Sequence, residues 1–413
     1  MRGVVFDLSL TRYAAAKALG KWVPALYHGA PSCLRLADDV PEPRKPGPGW
    51  HALAPVLTGF CGSDLAVIFL KYSPAMSPFS SSPSVLGHEI LGRLLEPAGA
   101  LREGDRVVVD PVLHCALRGV DPVCPSCARG DTGTCESFAR GHLAPGMSIG
   151  FHRDLPGGFG EKVVAHESQL FRVPDSVPDG LAVLVEPLAV ATHAVFKRPP
   201  GPPDRVLVIG GGMIAFSILA AMRLLDLHPH NATLLAWLDY QGDVGRSLGA
   251  TDVVVASRGT AHVVEEIQRI TGALPHAPVI GPPVLVGGYD VVFDCIGSAE
   301  SLTNAMRFAR AGATIVLVGN AGVLPGLDWS NVWARELRIA GTIFYGREAA
   351  DAARRRTFEI VLDRLTDAAL AAPIASLVTH EFPLEKYRDA VVANVDREKF
   401  RSIKTVFRLG ESS

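Results

Sequence analysis

At residues 205–212 an apolar strand pattern, Arg205-Val206-Leu207-Val208-Ile209, runs directly into Gly210-Gly211-Gly212, and the helical pattern MIAFSILAAMRLL follows at once. Few folds use that transition. The first glycine permits a tight turn, the second lets backbone N–H groups approach a pyrophosphate, and the third position, here Ala215, must be small for helix–strand packing. The helix N-terminus adds partial positive charge. Gly210, Gly211, Gly212, Met213 and Ile214 are therefore the expected dinucleotide-binding turn. A glycine turn alone marks only a need for positive φ; its surroundings make it specific. The short apolar runs RVLVIG (205–210), ATLLAW (232–237), DVVVA (252–256), YDVVFDCIG (289–297), ATIVLVG (313–319) and RIAGTIF (338–344) alternate with helical patterns such as SLTNAMRFARAG. That alternation predicts six parallel strands with helices on both faces.

The acid that would bond the adenosine ribose should end the second of these strands, near Ala236. Trp237 and Leu238 follow instead, and Asp239 arrives three residues late. Asp239 is the candidate ribose contact, with Tyr240, Gln241 and Arg246 as weaker ones. The choice between NAD and NADP stays open.

At 413 residues the chain needs two or three domains. Residues 1–190 read as short strands bounded by Gly and Pro, among them DRVVVDPVL, GFGEKVVAHES and QLFRVP, with few long helical patterns. The stretches PEPRKPGPGW and SPFSSSPS read as loops. After the alternating region come a helical segment around 348–367, a short strand near LVTHEF and a last strand around IKTVFRL. This tail is too small for its own core and is expected to pack back onto the first domain. The predicted division is 1–192 with 348–413, and 193–347. A net charge of −2 without a basic run speaks against nucleic acid. No run of about 18 apolar residues suggests a membrane span, and the first residues do not read as a signal peptide. The expected compartment is the cytoplasm.

Four of the seven cysteines lie between Cys115 and Cys135. In a chain without a secretion signal, such a cluster reads as a metal site rather than a disulfide framework. Cys124-x2-Cys127-x7-Cys135 has the short-loop spacing that lets thiolates meet one tetrahedral zinc. Cys115 is the first choice for a fourth ligand and Asp121 the other. Four protein ligands close the coordination shell, so this zinc would be structural and contribute folding free energy.

A second constellation is dispersed: Thr58-Gly59-Phe60-Cys61-Gly62-Ser63-Asp64, Val85-Leu86-Gly87-His88-Glu89 and Val185-Glu186-Pro187-Leu188. One Cys, one His and carboxylates give three or four ligands for a zinc that keeps a position open. Taken with the cysteine cluster and the glycine turn, these pieces resemble the zinc-containing medium-chain dehydrogenase/reductase family, nearest its sorbitol and threonine dehydrogenase branch. Gly157-Gly158-Phe159-Gly160-Glu161, Leu248-Gly249-Ala250 and Asp294-Cys295-Ile296-Gly297 extend the resemblance over nearly the whole chain.

The resemblance implies an α/β architecture: an N-terminal GroES-like, mostly-β catalytic domain and a Rossmann doubly wound parallel-sheet cofactor domain. It implies two zinc ions per chain, NAD(P), hydride transfer between an alcohol (a secondary alcohol or polyol) and its carbonyl, and a homodimer or homotetramer. Cys61 and His88 match zinc ligands, Glu89 the acid that approaches the metal, and Glu186 the branch's additional carboxylate; which carboxylate binds directly is left open. Asp64 matches the group that orients the ligating His, and Ser63 the hydroxyl that passes on the substrate proton. Ala66 stands where many relatives have a His, which leaves the proton's exit route unassigned. Two rival readings keep the same fold: a redox-silent binding or scaffold protein, and a zinc-free enone or quinone reductase. Tyr72, Met76 and Phe79 are candidates for the pocket wall, whereas Phe60, Phe151 and Trp333 read equally as core.

Overall fold

Two compact units make up the computed structural model of the chain, which describes residues 1–410. The first holds Met1–Glu186, Phe344–Thr366 and Ala375–Ser413, of which 411–413 lie outside the described residues; the second holds Pro187–Ile343 and Asp367–Ile374. These divisions fall a few residues from the sequence-based ones, and 367–374 packs with the second unit rather than with the rest of the tail.

The first unit is organised around the strand Trp50–Gly59, whose residues alternate towards a buried face. Glu89–Leu94 and Lys404–Arg408 flank it antiparallel, and Val163–His166 pairs with its first half. Arg106–Val109, Leu170–Arg172 and Val378–Pro383 complete a seven-stranded sheet, with Val163–His166 off its main path. β-Branched runs such as RVVV and VVAH suit a pleated, half-buried surface. Leu53, Ile90, Val107, Val163 and Leu170 fill one core; Val4, Phe60, Phe159, Val391 and Phe407 fill another. The tail thus supplies two strands to the seven-stranded sheet of the first unit. A smaller sheet joins Gly3–Phe6 to Leu34–Ala37 and Ser84–Val85. Between its first two strands lies a helical insert, Leu10–Leu19 and Ala25–His28, which the expectation of few long helices had passed over. The run YAAAKAL is rich in good helix formers.

The second unit contains the six expected strands: Arg205–Ile209, Asn231–Ala236, Asp252–Val255, Tyr289–Asp294, Ala309–Leu317 and Arg338–Gly341. All their pairings are parallel, with Arg205–Ile209 beside both Asn231–Ala236 and Tyr289–Asp294. The central strands are buried throughout, as a sheet covered on both faces requires. Val264, Ile267 and Leu302 from helices pack on Leu207, Leu235 and Ile315. A hairpin of Leu274–His276 and Val284–Val286 was not foreseen, because its Pro- and Gly-rich connection reads as loop.

Candidate active site

The open constellation is assembled by strand register. Gly59 pairs with Glu89 across the antiparallel ladder. Cys61 and His88, each a residue or two beyond those partners, therefore leave the sheet side by side. Gly59 is required there, since a Cβ would stand 1.8 Å from Glu89 Oε2. Gly87, at φ +90°, admits His88 because a Cβ would meet the Phe159 ring at 2.4 Å. Cys61 caps the helix Gly62–Ile68, and its N–H donates to Asp64 Oδ2 at 2.9 Å.

One ligand atom each from Cys61, His88 and Glu89 lies within 4.8 Å of the others. Asp64 Oδ1 is 3.7 Å from His88 Nδ1, an ion-pair distance rather than a hydrogen bond. Ser63 Oγ and His88 Nε2 share a hydrogen bond of 3.3 Å. Glu186, in the first turn of the helix Val185–Lys197, is outside that group of three but shares its electrostatics.

Two partners escaped the sequence reading. The Lys404 ammonium is buried in an ion pair with Glu89 Oε2 and donates to the Phe60 carbonyl at 3.2 Å. Tyr345 Oη donates to Glu186 Oε1 at 3.1 Å. Lys404 at least left a trace, as a charge in the alternating apolar run KTVFR; Tyr345 left none.

Burial pushes the Cys61 thiol up to about 12, with Glu89 adding to it. It pushes the Glu186 carboxyl up to about 8 and raises Asp64 as well. Buried atoms Asp64 Oδ1, His88 Nδ1 and Glu89 Oε1 have no hydrogen-bond partner. A thiol, an imidazole and carboxylates with such needs fit a divalent cation, whose charge offsets the burial that holds the Cys61 thiol and the Glu186 carboxyl in their neutral forms.

Of the proposed wall residues, Tyr72 is beside this set: burial, then Cys61 and Asp64, raise its hydroxyl. Met76 is exposed, and Phe79 packs on Phe138 at 4.3 Å. Phe151 lies against His88 at 5.1 Å, Phe60 is core, and Trp333 is exposed rather than core.

The Cys115, Cys124, Cys127 and Cys135 sulfurs form the second cluster, again within 4.8 Å of one another, and Asp121 is not among them. Backbone N–H groups point at the sulfurs: Cys124 N to Cys115 Sγ at 3.3 Å, Glu136 N to Cys124 Sγ at 3.4 Å, and Ser137 N to Cys135 Sγ at 3.4 Å. Burial opposes ionisation of Cys124, yet the N–H groups of Cys127 and Glu136 bring it down to about 7. No disulfide joins the described cysteines. Four convergent thiols bathed in N–H donors fit a closed zinc site. Beneath them Arg118 is 0% exposed and donates to the carbonyls of Leu113, Arg140, Leu143, Ala144 and Gly146.

In the second unit Gly210 takes φ +136°, and a Cβ on Gly211 would stand 2.2 Å from Gln241 Oε1. Gly212 caps the helix Met213–Leu224 with no side chain over its first N–H groups, and Ala215 is buried under the turn. The cradle suits a pyrophosphate. Asp239 opens the helix Asp239–Ser247 and pairs with Arg258 at 2.6 Å. Both line a cavity of about 310 Å³ with Asp243, Arg246, His262 and Glu266. Gln241 Oε1 accepts from the N–H groups of Trp237 and Leu238.

Residues 47–175 match the alcohol dehydrogenase GroES-like domain and 234–365 the zinc-binding dehydrogenase domain, together more than half of the chain. L-idonate 5-dehydrogenase of Vitis vinifera is 26% identical over 355 residues, 85% of this chain and 86% of that protein. L-threonine 3-dehydrogenase of Anaeromyxobacter dehalogenans is 26% identical over 363 residues, 86% of this chain and 90% of that one. An alcohol dehydrogenase of Escherichia coli CFT073, solved with NADH, superposes with a TM-score of 0.71 at 22% identity, covering 99% of each chain. With similarity of this extent on both sides of the glycine turn, the chain belongs to the zinc-containing medium-chain dehydrogenase/reductase family and is an alcohol dehydrogenase-like oxidoreductase.

Proposed function

We propose that the protein interconverts a secondary alcohol or polyol and its carbonyl with NAD(P), at a zinc held by Cys61, His88 and a carboxylate of Glu89 or Glu186. The observation that carries this is the convergence of Cys61, His88 and Glu89 within 4.8 Å, with His88 and Glu89 buried. Zinc in such a site supplies Lewis acidity, able to bring a bound water from a pKa of about 15.7 to ~7, and the nicotinamide supplies the hydride acceptor.

The chain's own groups do the rest. Asp64 holds the Cys61 backbone and faces the imidazole, keeping both donors in register. Lys404 offsets the charge of Glu89. Ser63, beside the same imidazole, is the carrier of the substrate proton. Cys115, Cys124, Cys127 and Cys135 hold the structural zinc. Gly210, Gly211, Gly212, Met213 and Ile214 receive the pyrophosphate, and Asp239 with Arg258 meets the adenosine ribose. A redox-silent or zinc-free relative has no use for two such donor sets.

The expected assembly is a homodimer or homotetramer, and the expected compartment the cytoplasm. Among the described residues no helix is long and apolar enough to cross a membrane.

The test is metal analysis joined to a panel of alcohols and ketones followed at the reduced-nicotinamide band, with NAD and with NADP. About two zinc ions per chain and turnover of a secondary alcohol are expected. Cys61→Ser is expected to lose one zinc and all turnover while its circular dichroism is unchanged. Full turnover in that variant would sink the assignment.

A further inference from the structure

Glu186 has a fixed neighbour that nothing in the hydride chemistry calls for. Tyr345 is 3% exposed, and its hydroxyl donates to Glu186 Oε1 at 3.1 Å. The ring is held edge-on against Phe358 at 4.8 Å. Its backbone is held too. Phe344, just before it, sits at φ +50°, a conformation that a bulky residue keeps only where surrounding contacts enforce it. On the other side Gly346 is closed against Thr357, whose N–H and hydroxyl both donate to the Gly346 carbonyl, at 3.0 and 3.1 Å.

The same loop is clamped to the cysteine cluster. Arg347 N donates to the Gly130 carbonyl at 3.1 Å, and Arg354 Nη2 to the Arg129 carbonyl at 3.2 Å. Gly346 passes so near Gly130 that a Cβ would stand 2.8 Å from its carbonyl oxygen. Gly130 and Arg129 end the short helix that begins at Cys124. A chain of direct contacts thus runs from the four-cysteine lobe through Arg347 and Gly346 to Tyr345 and then Glu186.

We propose that Tyr345 is a positioning residue for Glu186, and that the four-cysteine lobe holds it in place. The hydroxyl pins Oε1, which sets the plane of the carboxylate and makes Oε2 of Glu186 the less encumbered oxygen for the open zinc site. The closed zinc site then has a second task besides folding its lobe: it fixes the aim of a carboxylate at the other metal. This rests on the open zinc site proposed above.

The experiment compares the zinc-loaded full chain with Tyr345→Phe, which removes the hydroxyl and keeps the ring. Two readouts are taken: the rate at which a chelator strips the open-site zinc, and the visible ligand-field spectrum after cobalt replaces it. Loss of a partner of this kind is expected to speed stripping roughly 10- to 100-fold and to shift the cobalt band, with the lobe's zinc retained. In a Glu186→Ala background the same substitution should change neither readout. Gly346→Ala, which drives a methyl against the Gly130 carbonyl, should reproduce the spectral shift with Tyr345 intact. Unchanged stripping and spectrum in Tyr345→Phe would overturn the proposal, as would an equal effect in the Glu186→Ala background. An unshifted Gly346→Ala spectrum overturns the part assigned to the lobe. Wild-type protein that holds zinc only in its cysteine lobe overturns the underlying reading instead.

Discussion

Lys404 and Glu89 form an ion pair with side chains 2% and 1% exposed. Two charges this deep are held by each other, and removing one partner from such a pair costs about 3–5 kcal/mol because the survivor is left unpaired. Lys404→Met is therefore expected to lower the unfolding free energy of the zinc-free protein, read from urea denaturation, by that much, and adding Glu89→Gln should recover most of the loss. Zinc should narrow the gap, since it offers Glu89 another cation. If the double variant is no more stable than Lys404→Met alone, the pair is not what holds this corner together. At this scale the sequence was legible where short motifs put several chemical groups within a few positions, as in Cys61-Gly62-Ser63-Asp64 and His88-Glu89. Lys404 and Tyr345 were not, because each reaches the site from the far end of the chain through tertiary contact alone.

Among the elements, the cysteine lobe has almost no regular structure: two short 3-10 turns, Cys115–Arg118 and Thr132–Thr134, one turn of helix, Pro125–Arg129, and loops. Its order depends on the sulfur cluster above and the Arg118 carbonyl contacts below. Cys135→Ser is expected to release one zinc and open the lobe to limited proteolysis between residues 113 and 150. Asp121→Asn should leave both zinc ions and the digestion pattern unchanged; loss of a zinc there would make Asp121 a ligand. The spacing of Cys124, Cys127 and Cys135 announced this site, but whether Cys115 or Asp121 joined them depended on how the intervening loop folds. Strands of the parallel sheet were readable for the opposite reason: buried on both faces, they must be apolar through their centres, as LLA and VVF are. The helix Leu10–Leu19 and the hairpin at 274–286 carry no comparable pattern, since both are largely exposed.

At the scale of the molecule, that hairpin leaves Leu274, Val279, Ile280, Val284 and Val286 in solvent together. A cluster of this kind on a strand edge is a candidate subunit contact. It supports the proposed homo-oligomer, and replacing Val279 and Ile280 by Asp is expected to shift the sedimentation coefficient towards the monomer. An unchanged coefficient would place the contact elsewhere. The six parallel strands of the large sheet could be anticipated from alternation alone, whereas the way Phe344–Thr366 and the segment from Ala375 return to the first unit could be expected only in outline, because returning strands are chosen by an open sheet edge and not by their own residues.

The return of Lys404–Arg408 to Trp50–Gly59 sets a timetable for biosynthesis. Lys404 Nζ meets the Phe60 carbonyl across 344 positions of chain, so the ribosome releases Cys61, His88 and Glu89 long before their neighbour exists. Until it arrives, the stretch Leu57–Gly59 of the central strand lacks a partner on one side and Lys404 is not yet there to balance the carboxylate of Glu89. A polypeptide cut before Lys404 would own Cys61, His88 and Glu89 yet present them on an unfinished scaffold. Completion of this corner thus waits on a strand made 344 positions after Phe60.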